Sequence, residues 1–465
     1  MTRITQAMLY ARALRDVQAN LRGSQRLQEQ VATGRRVNRP SDDPAGMLRI
    51  LPLRAELRRL DQLTSNTQLA RETTDLGASA LEDASELMQQ TRELLIQANN
   101  GTTSVNDLVG LGERVDQLLG QFAGIANTSR AGRFLFGGTI TDQPPFRLEE
   151  GPGGTRARYD GNGESVLIEV GPGVETALNA PGDSIFLRRR RGATTFANGG
   201  TGAQPGPDSS TGVGFGELRV AFAGLGGAPA QITAGTGTTD ALGSLTYAVS
   251  GSTLSIDGGP PVPIPATNQD FQTADGRTVN LTISGTPVPP NGTFTSLAGL
   301  SIDGGQTVTV ADFASSTVQV RDSEGTVLSV DVGNLNATGT ESVTYGGTFD
   351  PFTLLIEFRD TLRGATTDNQ GETKARLQRI LQEVDGAHDG ILDGIAVYGG
   401  RSEQMDALRA RMDSLGVSTR ESLSNVEDSD LTESIMRMTQ QQIVYEASLS
   451  VSARIVQTSL LDYLR

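Results

Sequence analysis

Few residues in this chain could carry chemistry. Its one histidine, His388, is followed by Asp389, but the chain has no cysteine. Zinc motifs built on paired imidazoles or thiolates are therefore excluded, as is any cysteine nucleophile. His388 has no nucleophile marked beside it and reads as a helix-surface residue. The acid pair Glu149-Glu150 falls in a Gly/Pro-rich stretch, where solvated carboxylates are expected rather than the facing pair of a glycosidase. Gly132-Arg133-Phe134-Leu135-Phe136-Gly137-Gly138 lacks the Lys-Ser/Thr of a phosphate loop and has no strand before it. It reads as the tight exit from a helix, with Phe134 and Phe136 plugging the end of a bundle. The run Arg188 to Arg191 reads as a solvated, protease-sensitive turn. No catalytic residue, cofactor or metal ligand is assigned.

The composition points the same way. The 465 residues carry a formal net charge of −15, which argues against general nucleic-acid binding. No run of about 18 apolar residues marks a membrane helix. The first twenty residues lack the apolar stretch of a secretory signal peptide, so none is expected. Tryptophan is absent and glycine is abundant at 56, so an aliphatic core is expected. Charge is uneven along the chain. Residues 1–60 hold twelve arginines against five acids, whereas residues 421–465 hold seven acids against three arginines. Ends of opposite sign favour pairing with each other.

The elements that would position such residues fall into three zones, an α+β organisation. Residues 1 to about 140 and about 365 to 465 read as helix, and residues 141–364 read as a β-rich insert. The expected domains are 1–43 with 428–465 as a terminal coiled coil, 44–140 with 365–427 as a helical rod, and 141–364 as one or two outer β domains. Near the C-terminus, Leu431, Ile435, Met438, Gln442, Tyr445, Leu449, Ser452, Val456, Ser459 and Tyr463 alternate by four and three, a 3.5-residue period. Asp430 with Glu433 fits a capping box at its start. A similar stripe of Ile4, Ala7, Ala11, Leu14, Val17 and Leu21, prolonged by Leu27 and Val31, lies near the N-terminus. Neither helix buries its stripe alone, so each needs the other or another copy, and both are expected to be mobile in the free protein. A second helix starts at Asp42-Asp43-Pro44, an acidic cap followed by proline, and runs to about Asn99. Pro52 should kink or restart it. A third helix spans about 104–129 and a fourth about 371–425, its middle weakened by glycines at 386, 390, 394, 399 and 400.

In the insert, strands are expected at 166–170, 218–223, 245–249, 279–283, 308–310, 318–320 and 327–332, with turns at Asp257-Gly258 and Asp303-Gly304. Residues 192–216 are poor in apolar side chains and read as a flexible loop.

Several stretches together resemble the flagellin and hook-associated protein family of the bacterial flagellum. The first runs from Gln28 to Ala45 and contains Asn38, Arg39, Pro40, Asp42, Asp43 and Pro44. The second, from Arg92 to Thr102, is similar to another family block. Asn127-Thr128 with Gly132 to Thr139, including Phe136 and Gly137, resembles the end of the family's third helix. Leu423 to Leu431, with Asn425, resembles its C-terminal hinge, and the ending Asp462-Tyr463-Leu464 resembles the hook–filament junction member. The resemblance implies paired terminal helices in an inner layer, a rod outside them and variable β domains facing out. It implies a structural subunit, not an enzyme, exported to the extracellular flagellum without a cleavable signal. Partners would be identical copies in a ring, hook-associated protein 1, flagellin, the export apparatus and an export chaperone, with no nucleic acid and no membrane. The assembly surface would be Ile4, Ala7, Ala11, Leu14, Leu21, Leu431, Ile435, Met438, Tyr445, Leu449, Val456 and Tyr463. Two other readings stay open: a filament flagellin, or a flagellar scaffold whose β module binds glycans or surfaces.

Overall fold

The protein is described from a computed structural model, which covers residues 6–100, 103–151, 154–197, 199–207 and 209–463. Helical segments at both ends enclose a central β-rich region. The helices are α1 (Gln6–Thr33), α2 (Pro44–Ala98), α3 (Val105–Ala126), a single turn α4 (Asp183–Phe186), α5 (Pro351–Arg363), α6 (Gln370–Glu427) and α7 (Leu431–Tyr463). The chain divides into two units. One comprises residues 1–72, 167–176 and 401–465, and the other residues 73–166 and 177–400.

In the first unit α1 and α7 lie side by side. Small apolar clusters link the flanking helices: Val37, Met47 and Ile50 with Leu423 and Val426, then Leu60 and Leu63 with Met412 and Leu408. The short hairpin Leu167–Gly171 and Val174–Ala177 is tied to α2. The Thr67 hydroxyl and the Asn66 amide donate to the carbonyls of Val170 and Glu169. Pro52 does not end α2, contrary to the expected break. The carbonyl of Leu48, which a proline cannot serve, sits on an exposed face where water can satisfy it.

The second unit holds the main core. In α3 the Ser104 hydroxyl accepts the Asp107 N–H while the Asp107 carboxylate accepts the Ser104 N–H, a complete capping box. Leu108, Leu111, Val115, Leu118, Leu119 and Phe122 then recur at helical spacing on its buried face and join Leu354, Leu355, Phe358 and Leu362 of α5 in one core. The aliphatic expectation fails here. Phe122, Phe136, Phe146, Phe186 and Phe352 pack ring to ring at 5.0–6.5 Å, mostly edge to face. Phe136 does plug this core as expected, while Phe134 is only half-buried. Gly138 has φ +69°, and a Cβ there would lie 2.2 Å from Asn162 Oδ1, so the loop admits no side chain. The glycines of α6 have a use that composition hides. A Cβ on Gly390 would stand 3.0 Å from the Ile185 carbonyl, and one on Gly394 3.0 Å from Leu81 of α2 and 3.1 Å from the Ile185 side chain, so they let α4 and α2 seat against α6.

Every expected strand of the insert is present. An antiparallel eight-stranded sheet runs Val262–Pro263, Thr253–Ile256, Gly243–Ser250, Asn291–Ser301, Gly214–Gly226, Gly339–Tyr345 and Thr194–Ala197, with Thr309–Ala311 off Asn291–Ser301. It carries two apolar clusters, one around Leu218, Leu300, Leu328 and Tyr345, the other around Leu245, Leu254, Phe271 and Phe294. Two expectations are corrected. Residues 192–216 are not a loose loop: the buried Glu341 carboxylate accepts the N–H groups of Gly199 and Thr201, and Thr194–Ala197 joins the sheet. Residues 351–363 are helix rather than part of the strands. Asp350 caps them, with its carboxylate accepting the Thr353 N–H, and proline follows at the first position.

Candidate assembly interface

Two features of the first unit could serve assembly: the joint where the chain's two ends meet, and the α1–α7 pair that leaves it. At the joint, α6 ends on Glu427, whose side chain is 3% exposed. Arg54 grips its carboxylate with two nitrogens, at 2.6 and 3.1 Å, and Arg35 adds a third contact at 2.7 Å. The hydrogen bond to Glu427 pushes the Arg54 guanidinium above its already high range. The Glu427 carbonyl accepts the N–H groups of Arg36 and Val37, Arg36 donates to the Val426 carbonyl, and Ser429 donates to the Gly34 carbonyl. A buried carboxylate between two guanidiniums is neutralised and geometrically fixed, since arginine presents a rigid fork. The opposite charges of the two ends thus meet in a few defined bonds rather than as solvated faces.

The Asn38 to Pro44 motif shapes the same joint. The Asp42 carboxylate accepts the N–H groups of Asn38 and Arg39, closing a turn. Asp43 accepts the Gly46 N–H at 2.8 Å and pairs with Arg36 at 3.1 Å. Those two bonds hold its carboxyl below the ordinary carboxylate range, the Gly46 N–H having the greater effect. Arg39 reaches Glu29, and Pro40 is exposed at the turn. Asn425 lies exposed on α6. In the second unit Arg92 pairs loosely with Asp385 at 3.5 Å, and Asn127 clamps Phe146 by donating to its carbonyl and accepting its N–H, both at 2.9 Å. Thr128 donates to the Ile125 carbonyl. Phe136 and Gly137 are buried.

Beyond the joint α1 and α7 run antiparallel. Their buried and half-buried positions include Ala13, Val17, Asn20, Ser24, Leu27 and Val31 on α1, with Gly23, Glu29 and Gln30 beside them, and Ser434, Met438, Gln441, Tyr445, Ser448 and Ser452 on α7. Taken in opposite order they match layer by layer, both with four–three spacing. The seam thus mixes small and polar residues with Val17, Leu27, Val31, Met438 and Tyr445. Asn20 donates to the Ser448 hydroxyl at 2.7 Å, Gln441 donates to Asn20, and a Cβ on Gly23 would touch Gln441. Other large apolar side chains face out. Leu14, Leu21, Leu431, Ile435 and Leu449 are 40–49% exposed, and Ile443 is 63% exposed. Ala11 is also exposed. Of the expected assembly surface only Met438 and Tyr445 sit in the seam. Ile4 lies outside the described residues, as do the side chains of Ala7, Val456 and Tyr463. Val17, Leu27, Val31, Met438, Tyr445 and Ser452 of the sequence stripes lie in the seam, whereas Ala11, Leu14, Leu21, Leu431, Ile435 and Leu449 lie about one position round their helices from it, because apolar content alone does not say which side a partner from the same chain takes.

Sequence reading missed other placements. His388 is not on an open surface: its Nε2 stands 2.7 Å from the Ser85 hydroxyl, and burial lowers its pKa. Arg188 to Arg191 are engaged rather than free. Arg188 pairs with Asp393, Arg189 with Asp350 at 2.7 Å, Arg190 with Asp393 at 3.7 Å, and Arg191 donates to the Gly212 carbonyl. Acids at 389, 393 and 350 were the available signal. Among the described residues no cluster of acids or histidine could hold a metal ion, and no helix is long and apolar enough to cross a membrane.

The comparisons with known proteins fall on these same segments. Residues 4–141 match the bacterial flagellin N-terminal helical region, and residues 381–464 match the bacterial flagellin C-terminal helical region. Both helical ends of the chain are thus similar to the terminal helical regions of bacterial flagellins. The flagellar hook-associated protein 3 of Escherichia coli K12 is 29% identical over 185 residues, 40% of this chain and 56% of that protein. The flagellin of Bacillus subtilis 168 is 29% identical over 140 residues, 30% of this chain and 46% of its own. The chain thus spans about half the length of the curated relatives it matches. A crystal structure of hook-associated protein 3 from Legionella pneumophila aligns over 81% of this chain and 98% of its own, with 17% identity and a TM-score of 0.47.

Proposed function

We propose that this chain is a member of the flagellin and hook-associated protein family and a structural subunit of the extracellular flagellum, placed at the junction of hook and filament. Its assembly module would be residues 1–43 with 428–465, carried by helices from 44–140 and 365–427, with the β-rich 141–364 outside. The observation that carries this reading is the outward face of α1 and α7, where Leu14, Leu21, Leu431, Ile435 and Leu449 stay in water. A ribbon of half-exposed leucines and isoleucines gains about 1 kcal/mol for each side chain that a neighbour covers. Neighbouring copies would supply that cover, completing the fold as the ring forms. Hook-associated protein 1 and flagellin would bound the ring on its two sides, and the export apparatus with a chaperone would deliver the chain. The larger share of this chain matched by hook-associated protein 3 than by flagellin supports the junction over the filament.

Leu449→Asp, or deletion after Asp430, should leave the second unit folded and abolish junction assembly. A truncated protein that still caps hooks and supports filament growth would refute this. Free α1 and α7 should also exchange their amides fast, and strong protection in a dilute monomer counts against the reading. Copy number per flagellum separates the junction, with a handful of subunits, from the filament, with thousands.

A further inference from the structure

Sulfur is spread unevenly over this chain. It has eight methionines and no cysteine, so thioethers are its only sulfur groups. On α2 and α6, Met47, Met88, Met405 and Met412 are buried, and Met438 is half-buried in the α1–α7 seam. Met8 on α1 and Met436 on α7 are each 62% exposed. Among the described residues, the open thioethers therefore sit on the terminal helix pair alone. Their surroundings differ. Arg12 and Arg15 follow Met8 on its face of α1, and both are exposed, so charge and water surround that side chain. Thr432, Gln440, Ile443 and Ala447 share the face of Met436 on α7; all are exposed and none is charged. That face points away from the seam, because Met438, two residues on, is turned about 200° from Met436. Ile443, at 63% exposure, is the other large apolar side chain on it. An uncharged helix face led by a methionine and an isoleucine is one that a neighbour covers at little desolvation cost. We propose that Met436 is an oxidation site that decides whether a free subunit can join its neighbours. Hydrogen peroxide transfers one oxygen to the thioether: the O–O bond breaks, a sulfur–oxygen bond forms, the sulfur gives up two electrons and water leaves. The chain stays folded, since the side chain already stands in solvent. The sulfoxide is polar, however, and must be stripped of water before another copy can cover it. Once covered, the same sulfur is shielded, so the site acts on subunits before they are built in. This inference rests on the proposed assembly of copies through the outward faces of α1 and α7.

The test treats the full chain with hydrogen peroxide and follows its methionines by peptide mass mapping. Met8 and Met436 should oxidise first, Met438 more slowly and the buried ones last. The concentration at which the chain associates is then measured by sedimentation, before and after treatment. It should rise about tenfold for the native chain and for Met8→Leu, with helicity unchanged, a shift within what covering one methionine side chain supplies. It should not rise for Met436→Leu, which keeps the apolar bulk and has no sulfur. Untreated Met436→Gln should behave as the oxidised chain does, and a methionine sulfoxide reductase should restore the native value. Equal sensitivity in the native chain and Met436→Leu would overturn the proposal, as would protection by Met438→Leu in its place. So would an oxidised native chain that associates as readily as the untreated one. An untreated chain that stays monomeric at every concentration would instead overturn the assembly itself, and the proposal with it.

Discussion

Between α1 and α7 the seam holds half-buried Asn20, Gln441 and Ser448 beside the buried Ser24 and Ser434, whereas around Phe186 four further phenylalanine rings close within 6.5 Å. The first arrangement buries little apolar surface and spends its seam on hydrogen bonds. The second buries large rings completely, in edge-to-face contacts that fit one way. A region built like the second is stable within one chain. A region built like the first leaves apolar surface for another molecule.

The sharpest way to break this comparison is to remove the centre of the aromatic cluster. Phe186→Ala should cost about 3–5 kcal/mol, the range for emptying a buried aromatic site. Denaturant unfolding followed by hydrogen exchange should place that loss among the core helices of the second unit and leave exchange in α1 and α7 unchanged. Equal loosening of α1 and α7 would mean that the two regions are not energetically distinct.

Glu427→Ala should act in the opposite place with a smaller effect. Removing a buried carboxylate strands two guanidiniums, but Arg35 is about half exposed and Arg54 a third exposed, so water recovers part of the loss. A cost of roughly 1–3 kcal/mol is expected, below the full price of breaking a wholly buried pair. Faster exchange at the Arg36, Val37 and Ser429 amides, with the second unit unaffected, is the measurement.

Much of this contrast was legible before any coordinates. Four–three spacing marked both terminal helices, Asp-Pro marked the start of α2, and β-branched runs marked the strands. Asp350-Pro351 repeats the Asp43-Pro44 signal and would have revealed α5, but it lay inside a segment whose composition spoke for strands. What could not be read was orientation. The period of Leu431 to Tyr463 is the same whether Leu449 or Ser448 faces α1, and only the hydrogen bonds of Asn20 decide it. The aromatic cluster was hidden for another reason. Its rings come from positions 122, 136, 146, 186 and 352, too far apart for any local pattern to join them.

Two titrations in the second unit sharpen the comparison, because neither touches the ends of the chain. Glu357 of α5 accepts the Phe215 N–H at 3.1 Å beside a cavity of about 400 Å³. Burial pushes its pKa up to about 7, opposed by that N–H and by Arg376. The folded state therefore prefers the protonated acid. Its contribution is complete below the unfolded value near 4.5 and is lost as pH rises through about 7, by no more than about 3 kcal/mol. Glu357→Gln should remove that slope from a series of thermal melts, and a slope that survives would assign it elsewhere.

His388 should give the smallest effect, and of opposite sign. Burial against Ser85 lowers its pKa, while Asp389 and Asp385 pull the other way. A base whose folded pKa is lowered stabilises the fold above its unfolded value of 6.5, and that stability is lost as pH falls below it. In the native protein the Glu357 and His388 slopes therefore oppose each other in the range just below pH 6.5, and a flat profile there would hide both. His388→Gln in the Glu357→Gln background should leave this unit with little pH dependence in that window. His388→Gln alone should steepen the fall in stability toward neutral pH. If the single change flattens the profile instead, the imidazole is better accommodated charged than neutral, and its contact with Ser85 has been read with the wrong proton.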